Sequence, residues 1–402
     1  MRLVRVLSGV VVGVVACGVV ACGARARPST LSTPAPAITP ASDLSAARDE
    51  ATRADPSDPR LVARDPRVID LDIIRIQATS EGVGGEPALT SVASADLFRE
   101  ANDAAKAGRQ RDAIASYRKL VDDFPDSRFA PVALFNIAAV YDAQGDVTST
   151  ITTLRELVAA YPESRESIEG HLYIAALDSD RARWADALAT LDEVLARSNL
   201  TFGDRIEALA RKGYVQLEQG QLEPAESSLA AAIAAWRKAP RIDDPYYIAM
   251  AHYYRGELVH RRFRSAPVRT GDDEMVADLA HKRALAVQAY DRWKEALGFQ
   301  HAYWATAAGY QMSQIFVELW EAHVNAPDPQ RIAPANQPTY NARLHGNVRE
   351  HLEKALEGHR MNVELARAFG VATSWSEASE VQAARVMELL ARDATSQPGP
   401  GS

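Results

Sequence analysis

The sequence predicts an all-α fold, an α-solenoid built as a superhelix of helical hairpins, and two observations lead to it. One pattern is written twice between residues 94 and 164, with matching positions 37 residues apart (145 − 108 = 37). Apolar and small residues also recur at helical spacing inside each copy. A helical repeat of this length cannot bury its apolar face alone, so the copies must stack and leave an extended interaction surface. The matching pairs are Gly108 and Gly145, Leu120 and Leu157, Pro125 and Pro162, and Ser127 and Ser164.

The composition is that of an acidic protein with enough apolar residues for a core. Of the 402 residues, 47% are hydrophobic, so the fold needs no disulfide staples. The formal net charge is −8, and removal of a leader that carries Arg2 and Arg5 would make it −10 (−8 − 2). This charge disfavours nucleic acid as a partner.

Residues 1–21 read as a signal peptide. Arg2 and Arg5 precede an apolar run that is too short for a comfortable transmembrane helix. Cys17 and Cys22, the two cysteines of the chain, are each preceded by Val-Val-Ala and followed by glycine. This pattern resembles the lipobox of bacterial lipoproteins, which implies a diacylated cysteine at the mature amino terminus.

We favour Cys22 as the lipidated residue, because the polar part of the chain starts directly after it. Cys17 is the alternative, and a simple secretory signal with incidental cysteines is a third interpretation. Gly23, where aspartate would stand in retained lipoproteins, resembles the pattern for outer-membrane delivery. The expected location is the outer membrane, with a lipid anchor and the folded part facing the periplasm.

Residues 22–66 predict a disordered linker, because this stretch of Ala, Pro, Ser, Thr, Arg and Asp has almost no large apolar residue. Residues 67–90 predict a short strand or extended segment, from the β-branched run Val68 to Ile76, with a turn at Gly82, Gly84 and Gly85. Such a strand either pairs with another protein by β-augmentation or lies on the first repeat.

Residues 94–240 predict the regular array, in which the first hairpin has helices over 95–107 and 112–123. Small residues at Ala101, Ala113, Ala138 and Thr150 mark the close crossing of the two helices in each hairpin. The third unit keeps the 37-residue offset (187 − 150 = 37) but lacks the glycine and the proline. Residues 241–392 predict irregular hairpins and a capping helix, and residues 393–402 a disordered tail. The helices expected there cover 274–298, 303–325, 340–369 and 377–392.

The segments "FPDSRFAPVALFNIAAVYDAQGD" and "YPES" resemble tetratricopeptide repeats, in the 37-residue variant of bacterial envelope proteins. Two such families are the lipoprotein of the outer-membrane β-barrel assembly machinery and the Tol-Pal coordinator. The later part, "YQMSQIFVELWEAHVNAPDP", resembles tetratricopeptide proteins of gliding bacteria. The resemblance implies a scaffold that binds envelope proteins or peptide segments, with subunits of barrel-assembly, motility or cell-wall complexes and accessories of envelope enzymes as the alternatives.

Catalytic motifs are absent from the sequence, which contains no phosphate-binding loop, no G-x-S-x-G and no HExxH. We therefore expect no enzyme, no cofactor and no metal site. Among the nine histidines, His351 and His359 could share a helix face, but a metal ion would need a third ligand. The basic run from His260 to Arg269 is either a contact for anionic partners or a solvated helix end.

The resemblance also implies a concave binding face on the first helix of each repeat. Asn102 and Asn136 match two asparagines of the carboxylate-clamp subgroup, but Phe98, Glu169 and Tyr173 stand where its basic residues would be. We therefore expect an aromatic-lined groove for an extended or helical segment, unless these aromatic residues pack on neighbouring helices. The predicted groove residues are Phe98, Asn102, Phe135, Asn136, Ala139, Leu172, Tyr173, Arg211, Tyr214, Tyr253, Tyr254 and Glu257.

Overall fold

The computed structural model describes residues 74–80, 87–240, 242 and 244–395. It begins with a two-stranded antiparallel hairpin, in which β1 (Ile74–Ser80) pairs with β2 (Pro87–Ala93). The predicted strand thus has a partner within the chain, and β2, which was not predicted, leads directly into the first helix and contacts it. Residues 68–73, the three predicted turn glycines, the signal peptide and the linker lie outside the described residues.

Between residues 94 and 238, which the structure describes without a gap, eight helices form four successive hairpins. Each helix packs on the next one in the chain, as stacking of the repeat requires. The helices are α1 (Ser94–Lys106), α2 (Gln110–Asp123), α3 (Phe129–Ala143), α4 (Val147–Ala160), α5 (Arg165–Asp180), α6 (Trp184–Leu195), α7 (Phe202–Glu218) and α8 (Leu222–Lys238).

Residues 244–395 add longer helices and one short 3-10 turn at Pro334–Asn336. The bounds of these helices lie within a few residues of the predicted ones, but their packing is less regular, since the last helix contacts both helices before it. The helices are α9 (Tyr246–Ser265), α10 (Asp272–Leu297), α11 (Ala302–Val324), α12 (Gln337–Ala368) and α13 (Ser374–Thr395).

Local residues set where the helices begin. The Asp146 carboxylate accepts a hydrogen bond from the backbone of Ser149 at the start of α4 (3.0 Å). A capping box starts α7, in which Thr201 Oγ1 accepts from the backbone N–H of Asp204 (3.2 Å) and the Asp204 carboxylate accepts from that of Thr201 (2.9 Å). These contacts satisfy backbone donors that have no partner within the helix.

The hairpins close on small residues, as the repeat predicted. Ala101, Ala113, Ala138 and Thr150 are all fully buried. In the fourth hairpin, Gly213 lies at the crossing of the two helices, where an added Cβ atom would be 2.6 Å from Leu229 Cδ2. A larger side chain at such a crossing has no room unless the helices move apart.

Two further features concern the ends of the chain. The tail predicted to be disordered from residue 393 is still helical to Thr395, because the buried Asp393 accepts a hydrogen bond from His345 and lies 3.6 Å from Arg349 Nη1. Residues 396–402 lie outside the described part. Among the helices that the structure describes, none is both long and apolar enough to cross a membrane.

Candidate functional site

The odd-numbered helices form one face of the array. Each of them contacts the next odd-numbered helix, from α1 through α3, α5, α7 and α9 to α11, in addition to its own hairpin partner. We call the side of α1, α3, α5 and α7 that faces away from the even-numbered helices the inner face. All predicted groove residues lie on odd-numbered helices, but their side chains divide into half-exposed and buried ones.

In the first two repeats, the two asparagines point to a buried tyrosine. The Tyr117 hydroxyl donates a hydrogen bond to Asn102 Oδ1 and accepts one from Asn136 Nδ2 (3.1 Å). Tyr117 is fully buried and Asn136 is 4% exposed. Burial raises the pKa of Tyr117 to about 12, although the hydrogen bond with Asn136 lowers it. The asparagines therefore hold α1, α2 and α3 together, whereas we predicted that they would bind a peptide.

Phe98 and Phe135 remain half-exposed on the same two helices. Phe98 stacks on Phe129, with ring centroids 4.9 Å apart, and Phe135 tilts against Tyr173 at 6.5 Å. Ala139, one turn after Phe135, is also half-exposed, whereas Tyr173 is buried. Phe98, Phe135 and Ala139 thus give the inner face an apolar strip across the first two repeats.

The fourth repeat contributes a fixed arginine. Arg211 is buried, its Nε donates to Glu207 (2.8 Å), and its Nη2 donates to the Tyr247 hydroxyl (2.9 Å). Burial alone would lower the pKa of Arg211, but Tyr247 and Glu207 outweigh it and raise the pKa above its usual value. Arg211 is thus committed to partners within the fold. Tyr214 is half-exposed and contacts Tyr254 at 4.7 Å.

The predicted groove residues on α9 do not line an open groove. Tyr253 is 3% exposed, packs on Trp304 at 5.2 Å and accepts a hydrogen bond from Gln311 Nε2 (3.2 Å). Tyr254 is buried as well, and Glu257 lies 3.8 Å from His260 Nδ1. The physical reason is that α11 packs over this part of α9, which the decayed repeat did not reveal.

Carboxylates complete the open part of the inner face, and the predicted groove residues did not include them. Asp142 and Asp180 stand near the ends of α3 and α5, and Glu169 is 42% exposed beside Arg165 (3.0 Å). Arg165 also pairs with the buried Asp204. Asp180 is exposed and Asp142 half-exposed, and burial raises the pKa of Glu169. The sequence did contain a signal for the two aspartates, because both lie in the last turn of a helix that also carries predicted groove residues.

The basic run is largely paired within the fold, so it offers little to an anionic partner. His260 Nε2 lies 2.7 Å from the Glu318 carboxylate, and Arg261 donates to Glu218 (2.6 Å). Arg269 binds Asp278 through both Nε (2.8 Å) and Nη2 (2.7 Å). The tryptophans pack as expected, with Trp293, Trp304 and Trp375 buried and the other three half-exposed.

Over the described ranges, no three His, Cys, Asp or Glu side chains converge as metal ligands. His351 instead lies near His323, with ring centroids 5.8 Å apart. His359 is fully buried against Tyr310, and its burial lowers its pKa to about 4. Cys17 and Cys22 fall outside the part of the chain that the structure covers.

Comparison with known proteins gives a family match for part of the chain. Residues 89–242 match the family model described as a tetratricopeptide repeat-like domain. A search of curated proteins gives no match.

Solved structures of repeat proteins are similar at low identity. A tetratricopeptide repeat protein from Parabacteroides merdae is 13% identical over 73% of this chain and 98% of its own, with a TM-score of 0.35. PilW, described as a widely conserved type IV pilus biogenesis factor, is 16% identical over 71% and 97% (TM-score 0.35). The C-terminal part of a repeat protein from Cytophaga hutchinsonii is 9% identical over 75% and 99% (TM-score 0.40). The helix packing and the family match together give this chain the fold of a tetratricopeptide-repeat α-solenoid.

Proposed function

We propose that this protein is a non-enzymatic scaffold that binds a partner polypeptide along the inner face of α1, α3, α5 and α7. The observation that carries the proposal is the set of half-exposed side chains on three of the four inner helices, Phe98 on α1, Phe135 and Ala139 on α3, and Tyr214 on α7. On α5 the predicted groove residue Tyr173 is buried against Phe135. Arrays of such repeats stack to form extended binding surfaces, and the family match covers the same helices. From α9 onward the corresponding positions are covered, so the proposed site ends there.

The charges on the inner face indicate what kind of segment it binds. Asp142, Glu169 and Asp180 place three carboxylates on this face, whereas Arg165 and Arg211 already have acidic partners. A free terminal carboxylate would be repelled there, because like charges repel. An extended or helical segment that presents aromatic or apolar side chains together with basic ones fits this face best.

The cellular setting is part of the proposal and rests on the sequence. The leader that ends at Cys22, with Cys17 as the alternative lipidation site, supports a lipoprotein anchored in the outer membrane and facing the periplasm. The partners would then be other envelope proteins, in a β-barrel assembly complex or in a motility or cell-wall complex. Assistance to an envelope enzyme is the second alternative.

Photo-crosslinking in the native cell tests the binding face. A benzoylphenylalanine residue at position 139, on the inner face, should form covalent adducts with a partner. The matched control places it at position 159, since Ala159 is an exposed alanine on α4, an even-numbered helix. Adducts of equal yield at both positions, or none at position 139, would contradict the proposed face.

The identity of the crosslinked protein separates the alternatives. Outer-membrane barrels or their insertase indicate barrel assembly, whereas inner-membrane or cell-wall proteins indicate a motility or cell-wall complex. A single catalytic protein would indicate an enzyme accessory. In a second experiment the crosslinker is moved to another position of α3, and Ala139→Arg is added. The adducts should then be lost, because a long charged side chain fills the apolar strip beside Phe135.

A further inference from the structure

A second candidate site lies on the side of the even-numbered helices, away from the inner face. There α4 and α6 form the walls of a cavity of about 260 Å³ whose floor is α5. This volume is far above the roughly 10–15 Å³ that a single water molecule needs. The cavity is lined by Arg155 and Val158 of α4, His171, Ile174 and Asp178 of α5, and Asp186, Ala189, Thr190 and Glu193 of α6.

The most unusual group of this cavity is the carboxylate of Asp178. It is 1% exposed, and across the residues that the structure describes neither of its oxygens has a hydrogen-bond partner. Its ion-pair partner is Arg183, whose Nε lies 3.5 Å from Asp178 Oδ1. Arg183 makes a shorter contact with Asp186, at 2.8 Å between Nη2 and Oδ2. Leaving a buried charged acceptor without a donor is costly, so a site of this kind needs an explanation.

The lining holds two further acceptors, His171 Nε2 and the Glu193 carboxylate, beside two groups that can donate, Arg155 and Thr190. His171 Nδ1 lies 2.7 Å from the backbone oxygen of Ser167 and therefore carries the proton, which leaves Nε2 as an acceptor 3.5 Å from the Glu193 carboxylate. Burial lowers the pKa of His171, so the ring is neutral near pH 7. Ile174, Val158 and Ala189 supply apolar wall between these groups. Three carboxylates, Asp178, Asp186 and Glu193, and an apolar passage outweigh the one cationic lining residue, Arg155, and match a cationic donor on an apolar stem.

We propose that this cavity binds the guanidinium group of an arginine side chain from a partner protein. Asp178 holds two covered oxygens side by side at the floor of the cavity. Once the side chains that cover them move aside, the planar fork of a guanidinium donates two parallel hydrogen bonds to such a pair. Its remaining N–H groups face Glu193 and His171 Nε2, and its methylene stem packs along Ile174 and Ala189. The site is separate from the inner face, so the protein can bind a second partner or a second segment of one partner.

Arg155 is the competing occupant, because it stands on the wall formed by α4 and its charge acts on Asp178. Its side chain is exposed in this structure. The test must therefore separate an arginine supplied by a partner from this arginine of the chain itself.

The direct test uses the full folded protein with ¹³C-labelled histidine and N-acetyl-arginine amide as the probe. We expect the His171 signal, assigned with His171→Gln, to shift saturably with the probe but not with the neutral isostere N-acetyl-citrulline amide. Asp178→Asn should lower the affinity for the probe by about tenfold or more, because it removes the charged partner of a bidentate pair. This variant should stay folded, because it replaces a buried carboxylate that lacks donors with a neutral group of the same shape, and its melting temperature checks that.

A matched pair of wall substitutions tests the location. Ala189→Arg should abolish binding of the probe by filling the cavity, whereas Ala185→Arg, an exposed position of the same helix outside the lining, should leave it unchanged. Equal binding of the citrulline compound, or unchanged affinity in folded Asp178→Asn, would overturn the proposal. Binding that appears only after Arg155→Ala would also overturn it, because Arg155 would then be the natural occupant.

In the cell, a crosslinker at position 189 should yield a partner adduct whose crosslinked peptide contains arginine. Asp178→Asn should reduce that adduct at least about tenfold, in line with the loss of a charge-assisted pair. Adducts formed from position 139 on the inner face should be unaffected by this substitution. The two proposals can therefore be contradicted separately. If the yield of the adduct at position 189 is unchanged by Asp178→Asn, the arginine pocket is contradicted, whereas the proposed inner-face binding is not.

Discussion

The turn that joins the two helices of a hairpin depends on one residue with a left-handed backbone. Gly108, Gly145 and Gly220 take φ values of +73°, +74° and +77° there. In the third hairpin the equivalent position (145 + 37 = 182) is Ala182, with φ +56°. The missing glycine therefore did not change the turn: the rest of the repeat keeps the backbone in place, and Ala182 carries a steric cost of about 1–2 kcal/mol.

Ala182→Gly should stabilise the protein by about 0.5–1 kcal/mol, because it removes that cost while adding some freedom to the unfolded chain. Gly145→Ala should destabilise by a similar amount, since a Cβ at Gly145 would meet nothing within 4 Å and only the backbone is strained. Urea unfolding followed by circular dichroism measures both changes. A loss of stability in Ala182→Gly would show that the methyl group of Ala182 makes contacts that outweigh its backbone strain.

Single residues were also where prediction of the site was weakest. The repeat placed Asn102 and Asn136 on the correct helices, but it could not show that the Tyr117 hydroxyl lies between them. Conversely, Asp178 attracted no notice in the sequence, because one aspartate near a helix end is ordinary. Its burial without a donor becomes visible only when α4, α5 and α6 are packed together.

At the scale of elements, the sequence predicted helices well wherever the repeat was clear. The 37-residue offset, the turn glycines and Pro125 and Pro162 after α2 and α4 delimit the first hairpins, and the helices start and end within two residues of the predicted bounds. β2 was missed because "PALTSVA" has few large apolar residues, and its strand character depends on β1 beside it. The packing of α11 over α9 was not predicted, because no repeat period relates these two helices in the sequence.

The contact between α9 and α11 contains a buried charged network. His260, 5% exposed, has Glu257 on its own helix and Glu318 of α11 as partners, and Lys282 of α10 lies close enough to act on Glu318. Burial, the largest influence, lowers the pKa of His260, but the hydrogen bonds with Glu257 and Glu318 together outweigh it and raise the pKa to about 9. The charged histidine thus helps to fix α11 on α9.

This network predicts a loss of stability in mild alkali. The pKa of His260 rises from 6.5 in the unfolded chain to about 9 in the fold, so its contribution is complete below pH 6.5 and is lost as the pH rises through about 9. The change corresponds to about 3.5 kcal/mol (2.5 pKa units at about 1.4 each). The free energy of unfolding should be measured by urea denaturation at intervals from pH 6 to 10.

The variant His260→Gln isolates this contribution from other groups that titrate in the same range, such as Lys282. The difference in unfolding free energy between the native protein and this variant should shrink from pH 6.5 to 9. His281→Gln, at an exposed position of α10, serves as the matched control. A constant difference across this range would show that His260 stabilises the contact without being charged.

At the scale of the whole molecule, the two halves of the array differ in how far their inner positions are covered. The open inner face belongs to α1, α3, α5 and α7, while the later helices cover their own inner positions. In the proposed lipoprotein, Cys22 precedes α1 in the chain, so the open half of the array is the half that follows the proposed anchor in sequence.

The proposed lipid anchor can be tested by substitution of the two cysteines. Cys22 stands directly before the polar segment, and two acyl chains on one cysteine suffice for stable membrane attachment. Cys22→Ser should therefore leave unprocessed precursor and abolish incorporation of labelled palmitate, whereas Cys17→Ser, the matched control with the same Val-Val-Ala context, should be processed and acylated normally. Persistent acylation of Cys22→Ser would move the anchor to Cys17. Absence of label from the native protein would instead contradict the proposed lipid anchor.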